Sequence, residues 1–159
     1  MCRHTVRWVF TLPDDFVWHD GPEVKTDASF QDKTGVVRLI LRPPRTVIVT
    51  SGYAWDGCTP KFCLLDLQIG TPDGAIDSRT KQRKTYYASL VHDSLYQFLL
   101  DGLPFSRVQA DACFLNLMRE TNFAWRYVYW LAVRALGWLF VAQHRFIRKN
   151  RGVKVEAAV

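Results

Sequence analysis

Apolar positions recur at helical spacing along residues 83–100 and cover most of the circumference of the helix that they predict. A helix that is apolar on nearly every side is typical of a buried one. Four polar residues interrupt the pattern at i, i+3, i+4 and i+7 and form one strip: Ser89, His92, Asp93 and Tyr96. Because an unpaired charge inside a protein is costly, we expect this strip to face partners, a metal ion or a water-filled cleft.

Two more helices are predicted after the first. A capping box of Ser106 and Gln109 begins the second, which ends near residue 120. The short connection between the two helices predicts that they are antiparallel neighbours, and the inward position of Asp111 predicts that its carboxylate approaches His92 and Asp93. A third helix is predicted over residues 122–148, with its tryptophans in the core or at its edge and its arginines paired or snorkelling.

The first third of the chain has the period of β-structure. Alternation before Pro13 predicts a strand over residues 6–12, and turn residues at 31–35 predict a hairpin of strands at 23–30 and 36–41. A β-branched run predicts another strand over 46–53, and scattered glycines and prolines predict a long loop over 56–80. The sequence thus predicts an α+β fold in which a small N-terminal antiparallel sheet packs against about three C-terminal helices.

Length and charge add the domain organisation. The 159 residues predict one domain over 1–148, followed by a flexible basic tail over 149–159. The net charge of +6 is concentrated near the C-terminus, where the last fifteen residues hold five cationic side chains and one acid. Such a tail can contact nucleic acid or anionic lipid, but a solvated helix end is the favoured interpretation.

Two further patterns bear on compartment and membrane. The four cysteines lack paired CxxC spacing and a preceding secretory signal, which predicts reduced thiols in a cytoplasmic protein. Residues 123–142 form an apolar run that contains Arg126 and Arg134. Because an arginine at the centre of a bilayer is costly, a membrane span is disfavoured.

The polar residues that the predicted fold brings together are the candidates for chemistry. Asp56, His92, Asp93 and Asp111 could hold a divalent ion such as Zn²⁺, Mn²⁺ or Mg²⁺. Without a metal, His92 could act as a general base oriented by one of the aspartates. Nearby groups add hydroxyls and a cation for an anionic substrate: Thr59, Ser89 and Arg107. A buried histidine and aspartate can instead form a hydrogen bond that only fixes packing.

Five segments occur in an order that resembles the DUF1353 family of tailed phages and prophages: SGYAWDGCTP, GTPDG, YYASLVHDSLYQF, SRVQADACFLNLM and YWLAVRALG. The resemblance spans about residues 51–140. One departure is Pro60, which directly follows Thr59. The resemblance implies a set of polar site residues, namely Asp56, Thr59, His92, Asp93, Tyr96, Arg107 and Asp111. It also implies a phage-encoded protein, acting in the cytoplasm of the infected bacterium or carried in the virion, and it implies no particular reaction.

These observations favour a phage hydrolase with a His/Asp site, with or without a metal, acting on a peptide, a cell-wall fragment or a nucleotide. The alternative is a non-catalytic phage protein that binds a host or virion partner. In that case the His/Asp cluster is a buried structural network.

Overall fold

The computed structural model describes residues 10–55, 57, 75–135 and 137. The beginning of the predicted first strand, most of the predicted loop, the end of the predicted third helix and the basic tail lie outside these residues. Asp56 and Thr59 lie outside them as well.

Short strands form two antiparallel sheets in the described part of the chain. The smaller sheet pairs two strands of two residues each, and the larger has the order β2-β5-β4-β3. The strands are β1 (Phe10–Thr11), β2 (Phe16–Trp18), β3 (Ala28–Gln31), β4 (Val37–Arg42), β5 (Thr46–Val49) and β6 (Ala54–Trp55). The small sheet pairs β1 with β6.

The predicted hairpin is confirmed, since β3 pairs with β4. Its turn includes Gly35 at φ +81°, a left-handed conformation that favours glycine. The carboxylate of Asp32 closes this turn by accepting from the backbone N–H of Thr34 at 2.8 Å and from Nε of Arg38 at 2.7 Å. This hairpin forms one side of the larger sheet.

Two features of the sheets differ from the prediction. The strand expected over 46–53 ends at Val49, because a turn with Gly52 at φ +75° follows it, and the chain pairs again only at β6, beyond the predicted run. Strand β2 was not predicted, and its contacts are tertiary. Phe16 stacks on Tyr87 with ring centroids 4.3 Å apart, and Trp18 donates from Nε1 to Glu120 at 2.9 Å.

The helices follow the predicted order: α1 (Tyr86–Phe98), α2 (Arg107–Glu120) and α3 over residues 126–135, with helical backbone again at 137. The capping box is present, since Ser106 accepts from the backbone of Gln109 and donates its own N–H to the Gln109 side chain. The α+β prediction is confirmed.

The core lies between the larger sheet and the helices, where α1 contacts β4 and β5 and packs against α2. Its largest fully buried side chains include Trp55, Phe114, Leu39, Leu90 and Met118. The tryptophan prediction for the third helix is confirmed only in part, since Trp130 packs at the core edge but Trp125 is exposed, and Trp138 lies outside the described residues. Within the described segments, no helix has the length and apolar character needed to cross a bilayer.

Candidate functional site

One carboxylate joins the three helices. Asp111 on α2 is fully buried, at 0% exposure. Its Oδ1 accepts from the Tyr96 hydroxyl at 2.6 Å and from Nε2 of His92 at 3.0 Å, both on α1. Its Oδ2 accepts from Nη1 of Arg134 on α3 at 3.2 Å. The predicted approach of Asp111 to His92 is therefore confirmed, and both carboxylate oxygens are engaged.

Helical spacing explains why α1 supplies two donors. His92 and Tyr96 are four residues apart, so their rings stack along one face with centroids 4.1 Å apart. The ring centroid of Phe114, on α2, lies 5.0 Å from that of His92. The imidazole is thereby held by rings from both helices and by its bond to Asp111.

Close approach of α3 brings the guanidinium of Arg134 to this carboxylate. Arg107, at the start of α2, donates from Nη1 to the backbone oxygen of Arg134 at 3.2 Å. Farther along α3, a Cβ atom built at Gly137 would overlap the Tyr96 hydroxyl oxygen. A side chain larger than hydrogen at this position would therefore push α3 away from the site.

The charges of the cluster follow from its hydrogen bonds. Burial lowers the pKa of His92, but the bonds and charges of Asp111 and Asp93 outweigh burial and hold this pKa above its usual value. Burial raises the pKa of Asp111, but His92, Tyr96 and Arg134 outweigh that effect and hold it below its usual value. Burial and the bond to Asp111 raise the pKa of Tyr96. The cluster therefore places an imidazole with a raised pKa, a guanidinium and a phenol around one carboxylate with a lowered pKa.

The second nitrogen of His92 faces a more exposed carboxylate. Nδ1 of His92 lies 3.7 Å from Oδ1 of Asp93, whose side chain is 38% exposed, against 9% for His92. Tyr53, just after the larger sheet, is close enough to this carboxylate that the charge of Asp93 adds to burial in raising the Tyr53 pKa. The cluster thus reaches solvent on the Asp93 side.

Ser89 lies one turn before His92, but its hydrogen bonds are to groups outside the Asp111 cluster. Its hydroxyl donates to the backbone oxygen of Tyr86 at 2.9 Å and accepts from Nε1 of Trp55 at 3.1 Å. These bonds suit Ser89 to fixing β6 on α1 rather than to nucleophilic attack. Trp55, the residue before Asp56 in the sequence, is thereby held against α1.

Arg134 and Gly137 are site residues that the sequence interpretation did not include. The sequence analysis gave Arg134 only as an arginine of the third helix that is either paired or snorkelling. The sequence nonetheless contained a basis for pairing them. Arg134 is a cation inside an apolar run and Asp111 faces inward on the preceding helix, so each is the buried charge that the other needs as a partner.

A metal ion would fit one side of the cluster better than the other. Among residues 10–55, 57, 75–135 and 137, no three or more His, Cys, Asp and Glu side chains form a group suited to a metal ion. The oxygens of Asp111 already accept from three donors, one of them a guanidinium, which suits this residue to orienting His92. Nδ1 of His92 and the carboxylate of Asp93, 3.7 Å apart, are the predicted metal-binding groups on the more exposed side of the cluster. Metal ligation by Asp56, His92, Asp93 and Asp111 stays a prediction.

Comparison with curated proteins and with solved structures finds no match. The model of a family described as "Protein of unknown function (DUF1353)" matches residues 72–133. This segment contains most of the predicted site: His92, Asp93, Tyr96, Arg107 and Asp111. Asp56 and Thr59 precede it, and Arg134 directly follows it. This chain is therefore similar to the DUF1353 family over residues 72–133.

Proposed function

We propose that this protein is a hydrolase in which His92 and Asp93 exchange protons with the substrate and Asp111 positions His92. The observation that supports the proposal is the asymmetry around the imidazole. Nε2 faces a fully buried carboxylate at 3.0 Å, whereas Nδ1 faces a partly exposed carboxylate at 3.7 Å. Of the two ring nitrogens, Nδ1 is the one on the side open to a reacting group.

The raised pKa of His92 and the lowered pKa of Asp111 suit proton transfer in a hydrolysis reaction. Asp93 accepts a proton from the attacking water, whose oxygen forms the new bond to the substrate. His92, in its protonated form, donates its Nδ1 proton to the leaving group as the scissile bond breaks. The proton on Asp93 then passes to Nδ1, which restores both groups. Asp111 stays ionised throughout because Arg134 and Tyr96 continue to donate to it.

The proposal includes a metal-assisted form. A Zn²⁺, Mn²⁺ or Mg²⁺ ion held by His92, Asp93 and Asp56 would lower the pKa of a bound water and so supply the nucleophile. Arg107 could then hold an anionic part of the substrate. We propose the same substrate classes as the sequence suggests, namely a peptide, a cell-wall fragment or a nucleotide. The family resemblance supports a phage-encoded protein that acts in the host cytoplasm or in the virion.

The test compares three variants of the full chain. Asp93→Asn and His92→Gln are assayed on peptidoglycan fragments, peptides and nucleotides, with and without added divalent ions. Asp27→Asn is the matched control, because this carboxylate, directly before β3, is exposed. We expect hydrolysis of one substrate class to be lost in the first two variants and kept in the control. Absence of hydrolysis across the three classes, or activity that survives both site variants, would reject the proposal.

One observation favours a second candidate, a non-catalytic protein that binds a host or virion partner. The donors to Asp111 come from two helices other than its own, and the carboxylate is inaccessible to solvent. Both features are expected of a structural network that only holds the helices together. The two candidates differ at Asp93, which lies at the margin of the cluster. In an enzyme, Asp93→Asn removes activity while stability is nearly unchanged. In a non-catalytic protein with a structural His/Asp network, the same change leaves both partner binding and stability nearly unchanged.

A further inference from the structure

The exposed side of α3 is apolar. Four large side chains on this helix or directly before it are each about half exposed or more, and together they define the outer face of α3: Trp125, Tyr127, Val128 and Leu131. Tyr127 and Leu131 are four residues apart, as are successive positions on one side of a helix, and Val128 lies between them. Large apolar side chains that cluster on a surface mark a site of interaction.

The charged side chains of α3 lie off the centre of its outer face. Residues 122–135 contain two charged side chains, Arg126 and Arg134. Arg134 donates to the buried Asp111, and Arg126 donates to the backbone oxygen of Phe123 at 3.2 Å. The outer face of α3 is therefore made of aromatic and aliphatic side chains, with Arg134 directed inward and Arg126 at the edge of the face beside Tyr127.

Cationic groups border the outer face of α3. The Arg119 and Arg126 guanidinium groups lie 5.9 and 5.1 Å from the centre of the Tyr127 ring, and Arg119 is exposed. Apolar and aromatic side chains bordered by cations are the combination that binds the interface of an anionic membrane.

We propose that the outer face of α3 docks on the surface of an anionic lipid bilayer. The helix lies in the plane of the membrane, with Trp125 and Tyr127 at the level of the headgroups and Arg119 against lipid phosphates. A second copy of the chain suits this face less well. Two-fold pairing through it would bring the same cations of both copies together, and none of the four side chains that define the face is acidic.

The test measures sedimentation of the full chain with vesicles. One set contains phosphatidylglycerol and phosphatidylethanolamine, and the other contains phosphatidylcholine alone. Val128→Glu places a charge on the outer face of α3. Val17→Glu makes the same change at an exposed valine of β2 and is the matched control. Circular dichroism verifies that both variants are folded.

We expect binding to the anionic vesicles only, weakened by salt. Val128→Glu should reduce this binding about tenfold, since it removes one buried valine from the contact, and Val17→Glu should not. Trp125→Phe should remove a blue shift of tryptophan emission on binding. Binding that survives Val128→Glu would overturn the proposal, as the basic tail alone would carry it. Absence of vesicle binding would also overturn it, including the case in which the chain forms a dimer that Val128→Glu disrupts.

Discussion

Replacing Asp111 with asparagine tests the centre of the structure. The carboxylate accepts from His92 and Tyr96 on one oxygen and from Arg134 on the other. An asparagine keeps only one oxygen, so its NH₂ group must point toward a donor whichever way the amide is turned. The variant therefore removes the negative charge beside Arg134 and His92 and places a donor against a donor.

The expected loss of stability is large. Breaking a buried ion pair by removing one partner typically costs about 3–5 kcal/mol, because the remaining charge stays buried without compensation. We expect a loss in that range for Asp111→Asn, lowered toward about 3 kcal/mol by the partial exposure of Arg134, at 31% of its side chain. Asp27→Asn makes the same chemical change at an exposed position and should alter stability by less than about 0.5 kcal/mol.

Urea denaturation at pH 7, followed by circular dichroism and tryptophan emission, measures both variants. Arg134→Gln extends the comparison, because it removes one donor and leaves the His92 and Tyr96 bonds in place. It should therefore cost less than Asp111→Asn. If Asp111→Asn costs no more than Asp27→Asn, the carboxylate is not the charged centre that joins the helices.

Three further predictions concern single groups. Because the pKa of His92 is raised in the folded state, its protonation stabilises the fold fully below its unfolded pKa of about 6.5, and this contribution is lost as pH rises through the folded pKa. The stability advantage of wild type over His92→Gln should thus shrink in urea titrations above pH 6.5, and an advantage that grows with pH would contradict the assignment. Gly137→Ala should lower the unfolding free energy by about 1–3 kcal/mol, since the new methyl group would overlap the Tyr96 hydroxyl; calorimetry that finds no loss would show that α3 packs differently. Burial raises the pKa of Cys113 to about 12, so a thiol reagent at pH 8 should modify it only when the chain unfolds, and rapid labelling of native Cys113, identified by mass spectrometry, would contradict its burial.

Much of the helical half is determined by local sequence. The polar strip on α1 and the inward position of Asp111 on α2 follow from a period of 3.6 residues. The Ser106 capping box sets where α2 begins, and the short connection before it makes the helices neighbours. These rules act within one or two turns, which is why the meeting of His92 and Asp111 could be predicted. The hairpin of β3 and β4 was predictable for the same reason, since its turn residues are adjacent in the chain.

Tertiary contacts decided the rest. Strand β2 is three residues long, too short to show a period, and it is held by partners far along the chain at Tyr87 and Glu120. Helical spacing alone could not say that Arg134 would turn to Asp111 while Trp125, directly before the same helix, remained exposed. Leaving the buried carboxylate of Asp111 without a cation would cost more than exposing an aromatic ring, which favours the orientation of α3 that directs Arg134 inward. The sequence alone determined which groups must find partners, and the packing of three helices determined which partners they found.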